Sequence, residues 1–203
     1  MRRHFLPAAI AALALTGCGD APTAAVPAKA VDAPTSGPSF FTSGDRWGIF
    51  DGLTPASTLD ASPGWEVGTR FYVTTPGCVV QLRFYRAAGE TGTNTVKLWS
   101  NSGQLLGSQT FNLATTGWNT VELRNHGLGP YVDLSICIQT NTWYRVSVNT
   151  NTKQVKTFGY LDSGPIVNGP LVADASYYGQ PTGSMPTTQT GSIFFVDVVF
   201  EAD

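Results

Sequence analysis

From residue 46 onward, apolar and polar residues alternate in short runs that are interrupted by Gly, Pro, Asn and Asp. Alternation with a period of two between turn-forming residues is typical of half-buried β-strands. No segment after residue 15 keeps a helical period between recognisable caps, so α-helices are not expected. We expect strands at 46–50, 65–73, 78–86, 95–100, 104–113, 119–124, 132–138, 143–149, 154–160 and 192–201.

About ten short strands separated by regular turn signals predict an all-β protein. The expected architecture is a single antiparallel β-sandwich of jelly-roll type, formed by residues 41–203. In the strand at 143–149, Tyr144, Val146 and Val148 alternate with Trp143, Arg145 and Ser147. In the strand at 78–86, Val80, Leu82 and Phe84 form a similar set. Tyr144, Val80 and the residues that share their faces are expected to point to the core, because successive side chains of a strand point to opposite faces.

The last strand is apolar on both faces apart from Asp197, which predicts a strand that is covered on both sides. A buried carboxylate without a partner is costly. We expect Arg83 to be the partner of Asp197.

One segment, residues 162–191, does not fit the strand rhythm, because it is rich in Pro and Gly. We expect a long loop there with one short strand around residues 176–178. Long loops in compact domains are usually functional or disordered.

The N-terminus has the architecture of an export signal. Arg2 and Arg3 precede an apolar stretch, and small residues then lead to Cys18. The sequence from Leu15 to Cys18 resembles a bacterial lipobox, which predicts a lipoprotein signal peptide over residues 1–17 and acylation of Cys18 by palmitate-type chains. Such an anchor holds a protein to a membrane without spanning it. The alternative is a plain secretory signal in which the cysteine is incidental.

Residues 18–40 are rich in Ala, Pro and Thr and predict a disordered tether. The protein is therefore expected to be exported and membrane-anchored. The outer membrane or cell surface is favoured, because Gly19 rather than Asp follows the cysteine.

Charged residues make up only 13% of the chain, and the formal net charge is -2. Without a basic patch or a run of like charges, nucleic acid is an unexpected partner.

Cys78 and Cys137 remain once Cys18 is assigned to the lipid. An even pair in an exported chain predicts a disulfide, with two separate buried thiols as the alternative. No metal-binding cysteine motif surrounds them.

Catalytic chemistry finds little support in the sequence. The mature chain has one histidine, His126, in a turn-like stretch, and its acidic residues are scattered singly. A serine hydrolase would need that histidine, and a glycoside hydrolase would need two convergent carboxylates. No catalytic residue and no cofactor are expected. A structural calcium ion is left open, because jelly-roll modules often carry one, but no ligands are assigned.

Aromatic residues are the remaining feature that suggests a ligand. Flat apolar rings beside uncharged hydrogen-bonding groups suit the faces and rims of sugars. The candidates are Tyr177 and Tyr178 in the expected loop, then Trp99 and Trp143. Most such rings in a β-sandwich pack in the core or between strands, which is the alternative at each position.

An ordered set of short motifs resembles the bacterial family of domains of unknown function numbered 4082. The resemblance spans about residues 47–201 and implies a β-fold in secreted or surface proteins, with no assigned activity. Phe195 stands where Trp is common in the family. The motifs are RFY at 83–85, Gly89, TGT at 91–93, KLWS at 97–100, GQLL at 103–106, GWNTV at 117–121, TWY at 142–144, NGPL at 168–171 and FVDVVF at 195–200.

The sequence thus predicts a non-enzymatic, lipid-anchored module that binds carbohydrate or another envelope ligand. A structural or protein-interaction module of the cell envelope is the alternative, and a glycoside hydrolase is a distant third.

Overall fold

The computed structural model describes residues 45–112, 114–125 and 132–203, and side chains at 124, 125, 132 and 133 are not described. A single 3₁₀ turn, Tyr160–Ser163, accompanies sixteen strands in this part of the chain. The strands are β1 Arg46–Gly48, β2 Ser57–Asp60, β3 Glu66–Val73, β4 Gly77–Arg86, β5 Asn94–Ser100, β6 Leu105–Phe111, β7 Gly117–Glu122, β8 Arg124–Asn125, β9 Val132–Asp133, β10 Ile136–Ile138, β11 Tyr144–Asn149, β12 Lys153–Lys156, β13 Ile166–Asn168, β14 Leu171–Gly179, β15 Thr188–Thr190 and β16 Val196–Ala202.

Two large antiparallel sheets form the predicted sandwich-like all-β fold. The five-stranded sheet has the order β1-β16-β4-β10, and β7 also pairs with β4. The seven-stranded sheet has the order β13-β14-β3-β11-β5-β6, and β15 also pairs with β14. Two ribbons, β2–β12 and β8–β9, complete the described strands.

The core lies between the two sheets. Leu82 and Phe84 of the five-stranded sheet and Tyr144, Val146 and Val148 of the seven-stranded sheet belong to one buried apolar cluster. The alternation read from the sequence therefore identified the inward faces of β4 and β11 correctly.

The other face of β11 is also buried, contrary to the expectation from its alternation. Arg145 is 8% exposed and Ser147 is fully buried. Glu66 receives hydrogen bonds from the Ser147 hydroxyl at 2.5 Å and from the Gly183 amide at 2.8 Å. Arg145 donates to the carbonyl of Pro186. Polar side chains on this face are buried because the segment around residues 183–186 packs over them.

Residues 162–191 were expected to form a long loop with one short strand around residues 176–178; the strand is present as part of β14, but the expectation of a loop elsewhere was wrong. The segment contains β13, β14 and β15, and β14 pairs with β3 along its whole length, with one bulge near Asp174. Gly169 makes the turn between β13 and β14 with a φ of 53°, against the ring of Trp47. Pro and Gly in this segment terminate strands rather than exclude them.

Three further differences concern strand number and length. The single strand expected at 132–138 is divided into β9 and β10. The strand expected at 154–160 ends at Lys156, and β2 was not expected at all.

The predicted partnership of Asp197 with Arg83 is confirmed. Asp197 is fully buried. Its carboxylate accepts hydrogen bonds from Arg83 Nε at 2.9 Å and Nη2 at 2.5 Å. It also accepts the amide N–H groups of Ile49 at 2.9 Å and Phe50 at 3.1 Å. One carboxylate thus joins β4 and β16 to the turn that follows β1.

Cys78 and Cys137 are joined by a disulfide, as predicted. They are directly opposite each other in the pairing of β4 with β10. The bridge therefore ties a short edge strand to the centre of its sheet.

Candidate functional site

A cleft of about 310 Å³ opens at the end of the seven-stranded sheet, beside the β2–β12 ribbon. Its volume falls at the lower end of the range for small-molecule sites, about 300–1,000 Å³. We call it the Trp65–Tyr178 cleft. Trp65 directly precedes β3, and Tyr178 lies near the end of β14.

Three aromatic side chains form the apolar part of the cleft. The rings of Trp65 and Tyr178 meet edge to face with centroids 5.7 Å apart. Both are half-buried, whereas the third ring, Phe194, is 2% exposed and packs in the core. An edge-to-face pair is rigid and leaves part of each ring open to a ligand.

Uncharged polar residues form much of the rest of the wall. They are Gln154 from β12 and Gln189 and Thr190 from β15. Gln154 Oε1 is buried and accepts no hydrogen bond from the described part of the protein. Gln189 is directly opposite Tyr177 in the pairing of β14 with β15, and its Oε1 accepts a hydrogen bond from the Tyr177 hydroxyl at 3.3 Å, so its side chain lies on the face away from Tyr178. The amide of Gln154 and the hydroxyl of Thr190, next to aromatic rings, can bind a polyhydroxylated ligand at its rim.

The cleft has one charged lining residue, Lys156. Its ammonium lies 4.6 Å from the ring centroid of Phe158 and 5.2 Å from that of Phe194. Burial lowers the pKa of Lys156 from its ordinary value, because an apolar environment disfavours the charged form.

The structure separates the two tyrosines that the sequence grouped together. Tyr178 lines the cleft, whereas Tyr177 points to the opposite face of β14. Tyr177 is 6% exposed, and the guanidinium of Arg145 lies 3.6 Å from its ring centroid. Its ring therefore has almost no free surface for a ligand.

Trp99 and Trp143 also lie away from the cleft. Trp99 is buried and donates its indole N–H to the Ser147 hydroxyl at 2.8 Å. Trp143 is half-buried, meets Tyr72 edge to face at 4.7 Å, and has the Arg70 guanidinium 4.5 Å from its ring centroid. Trp143 is thus the only one of these two with accessible ring surface.

Buried carboxylates elsewhere are engaged in holding the fold. Glu66 is fully buried and contacts the Lys97 ammonium at 3.1 Å. Glu90, in the loop between β4 and β5, accepts the amide N–H groups of Asn151 at 2.7 Å, Thr152 at 2.9 Å and Lys153 at 2.6 Å. This loop joins strands of different sheets, and one carboxylate fixes it to the loop before β12.

The environment of Glu90 affects its ionisation. Burial alone would raise the pKa of Glu90, but the three backbone donors and the Asn94 amide outweigh burial and lower it. The carboxylate is consequently favoured in its charged form.

Cys18 and His126 lie outside the described residues. Among the residues that are described, no three His, Cys, Asp or Glu side chains are grouped as a metal site, so calcium stays a prediction without ligands. Within the same residues, no helix is both long and apolar enough to cross a membrane.

Sequence reasoning missed most of the cleft. Trp65 was not among the candidate rings, and Gln154, Lys156 and Gln189 were not singled out. The alternation along β14 was an available signal, because it places Tyr177 and Tyr178 on opposite faces. The convergence of β12 and β15 on Trp65 depends on tertiary packing and leaves no local pattern.

A comparison with models of protein families shows which family the chain belongs to. No curated protein matches the chain significantly. A family model described as "Domain of unknown function (DUF4082)" matches residues 53–196, which is more than half of the chain. The match extends from the loop before β2 to the first residue of β16 and includes every described residue that lines the cleft. The chain therefore belongs to the DUF4082 family, as its ordered motifs predicted.

Proposed function

We propose that this protein is a non-enzymatic carbohydrate-binding module and that the Trp65–Tyr178 cleft is its binding site. In this proposal the module is displayed outside the cytoplasm on a lipid anchor at Cys18. The cleft composition carries the proposal, because two half-buried rings lie beside the amide of Gln154 and the hydroxyl of Thr190. Such a wall matches the apolar faces and polar rims of sugars.

Binding is favoured over hydrolysis at this site. Among the described residues, those that line the cleft include no Asp or Glu. Glycoside hydrolysis generally requires two carboxyl groups on either side of the scissile bond. A sugar held in this cleft would therefore meet rings, amides and one ammonium, with neither a general acid nor a nucleophilic carboxylate.

The unsatisfied carbonyl oxygen of Gln154 gives further support. A buried polar atom that lacks a partner costs free energy, commonly about 1–3 kcal/mol. In this proposal the Gln154 side chain turns toward the cleft when a ligand binds, and a sugar hydroxyl then supplies the missing donor.

Retention on a panel of soluble and insoluble polysaccharides tests the proposal. The full-length protein, purified in detergent, is expected to bind at least one glycan class. Trp65→Ala and Tyr178→Ala are each expected to weaken that binding by about tenfold or more, equivalent to about 1.4 kcal/mol.

Trp143→Ala is the matched control, because it removes another half-buried ring that lies away from the cleft. It should leave glycan binding unchanged. Failure of the wild-type protein to bind any glycan, or an equal loss in Trp143→Ala, would contradict this assignment.

A protein partner in the cell envelope is the second candidate. Phe158 is 60% exposed and Val167 is 64% exposed. Apolar side chains on a surface are a common element of protein interfaces. Crosslinking in the host envelope tests this alternative, which gains weight if the glycan panel shows no binding.

A further inference from the structure

Lys156 is the feature of the cleft that a neutral sugar leaves unexplained. The other cleft residues in the described part of the chain are aromatic or uncharged, so this ammonium gives the cleft a net positive charge. No carboxylate on the cleft wall balances it.

The other two lysines that the structure describes each form an ion pair with a carboxylate. Lys97 contacts Glu66 at 3.1 Å, and Lys153 pairs with Asp60. Lys156 has no ion pair with any residue that the structure describes, although it is partly buried. Its stabilising contacts are the rings of Phe158 and Phe194.

The ammonium is partly withdrawn from water, and its described partners are two aromatic rings rather than a carboxylate. The lowered pKa of Lys156 reflects this partial burial. A bound anion would reverse that shift, because a nearby negative charge favours the protonated form.

We propose that the cleft selects an acidic sugar, whose carboxylate or sulfate group pairs with the ammonium of Lys156. The inference rests on the proposed glycan-binding function and names the ligand class of that same site. The rings of Trp65 and Tyr178 contact the sugar face, and Gln154 and Thr190 bind its hydroxyl groups. An ammonium acts as a point charge, so carboxylated and sulfated sugars share the required chemistry.

Titration with chemically matched oligosaccharides tests the inference, with tryptophan fluorescence or calorimetry as the readout. One pair is an oligogalacturonate and its methyl ester, which share a backbone and differ in charge. The second pair is a sulfated oligosaccharide and its desulfated form. The full-length protein in detergent should bind at least one acidic form about tenfold more tightly than its neutral counterpart, a difference that decreases with added salt.

Lys156→Met should abolish the preference for the acidic form while binding of the neutral form is retained. Lys153→Met is the matched control, because it removes the same charge from the same strand but outside the cleft. This control should keep the preference. The oligosaccharide pair that shows the preference identifies whether the acidic group is a carboxylate or a sulfate.

The outcomes distinguish the two proposals. Equal binding of acidic and neutral forms, unchanged in Lys156→Met, overturns the acidic-sugar inference and leaves glycan binding intact. An equal loss in Lys153→Met also overturns it, because the preference would then reflect overall charge. Binding of no oligosaccharide and no polysaccharide overturns the proposed function together with this inference.

Discussion

Replacement of Asp197 by Asn should destabilise the protein strongly, although the substitution barely changes side-chain volume. The carboxylate is fully buried and receives hydrogen bonds from Arg83, Ile49 and Phe50. An Asn side chain presents an NH₂ group to donors that previously met an oxygen. It also removes the charge that balances Arg83.

The expected loss in the free energy of unfolding follows from the surroundings of Arg83. Breaking a buried ion pair by removing one partner costs about 3–5 kcal/mol, because the other charge remains uncompensated. Arg83 keeps a second carboxylate, Asp51, at 2.5 Å, and its guanidinium lies 4.8 Å from the ring centroid of Trp118. We therefore expect the lower end of the range, about 3 kcal/mol. In a domain of this size the melting temperature would fall by about 6–12 °C.

Urea denaturation followed by tryptophan fluorescence, together with calorimetric melting, measures this effect. Asp174→Asn is the matched control, because Asp174 pairs with Arg70 at side-chain exposures of 31% and 26%. This pair is half-buried and bidentate, so its loss should cost about 1 kcal/mol, the upper end of the range for surface pairs. If Asp197→Asn costs no more than Asp174→Asn, the structural role assigned to the buried carboxylate is refuted.

Three further changes follow from the same structure. Glu90→Gln should cost about 1.5–3 kcal/mol at pH 7, because charge-assisted hydrogen bonds to backbone donors are lost. Since the folded-state pKa of Glu90 is lowered, this contribution is present above its unfolded pKa of about 4.3 and decreases as pH falls through the folded value. Replacing both Cys78 and Cys137 by Ser opens a loop with a separation of 59 residues. That change should cost about 4 kcal/mol by the chain-entropy estimate. Gly169→Ala should cost more than about 1 kcal/mol, because φ is 53° and the added methyl meets Trp47.

Denaturation curves measure each of these changes, and each has an outcome that contradicts it. A Glu90→Gln deficit that stays constant from pH 7 to pH 3 would contradict the role given to its charged form. For the cysteines, reduction of the wild-type protein should reproduce the loss seen in the double variant. Wild-type stability in Gly169→Ala would show that the turn tolerates a side chain there.

The sequence predicted those parts of the fold that depend on local patterns. Alternation identified the core faces of β4 and β11, and the apolar surroundings of Asp197 identified a buried ion pair with Arg83. The burial of Arg145 and Ser147 could not be read from alternation, because the cover comes from a segment about 40 residues later. β14 was expected only as a short strand around residues 176–178, because its flanking Pro and Gly residues resemble a loop.

The candidate site was predicted only in part, for a related physical reason. Tyr178 was chosen as a candidate because its segment was expected to be a loop, whereas it lies within β14. Its neighbour Tyr177 is on the covered face, beneath Arg145. Trp65 and Lys156 become neighbours of Tyr178 only when β12 packs beside the end of the seven-stranded sheet. A site assembled from separated segments carries no spacing motif.

Glycan binding by the Trp65→Ala variant, measured beside the wild-type protein and Trp143→Ala, is the decisive experiment. Circular dichroism of all three proteins confirms that each remains folded. Our interpretation predicts that the wild-type protein and Trp143→Ala bind the same glycan class with equal affinity, while Trp65→Ala binds it about tenfold or more weakly. Equal binding by all three proteins, or binding by none, would contradict the assignment of the Trp65–Tyr178 cleft as a carbohydrate site.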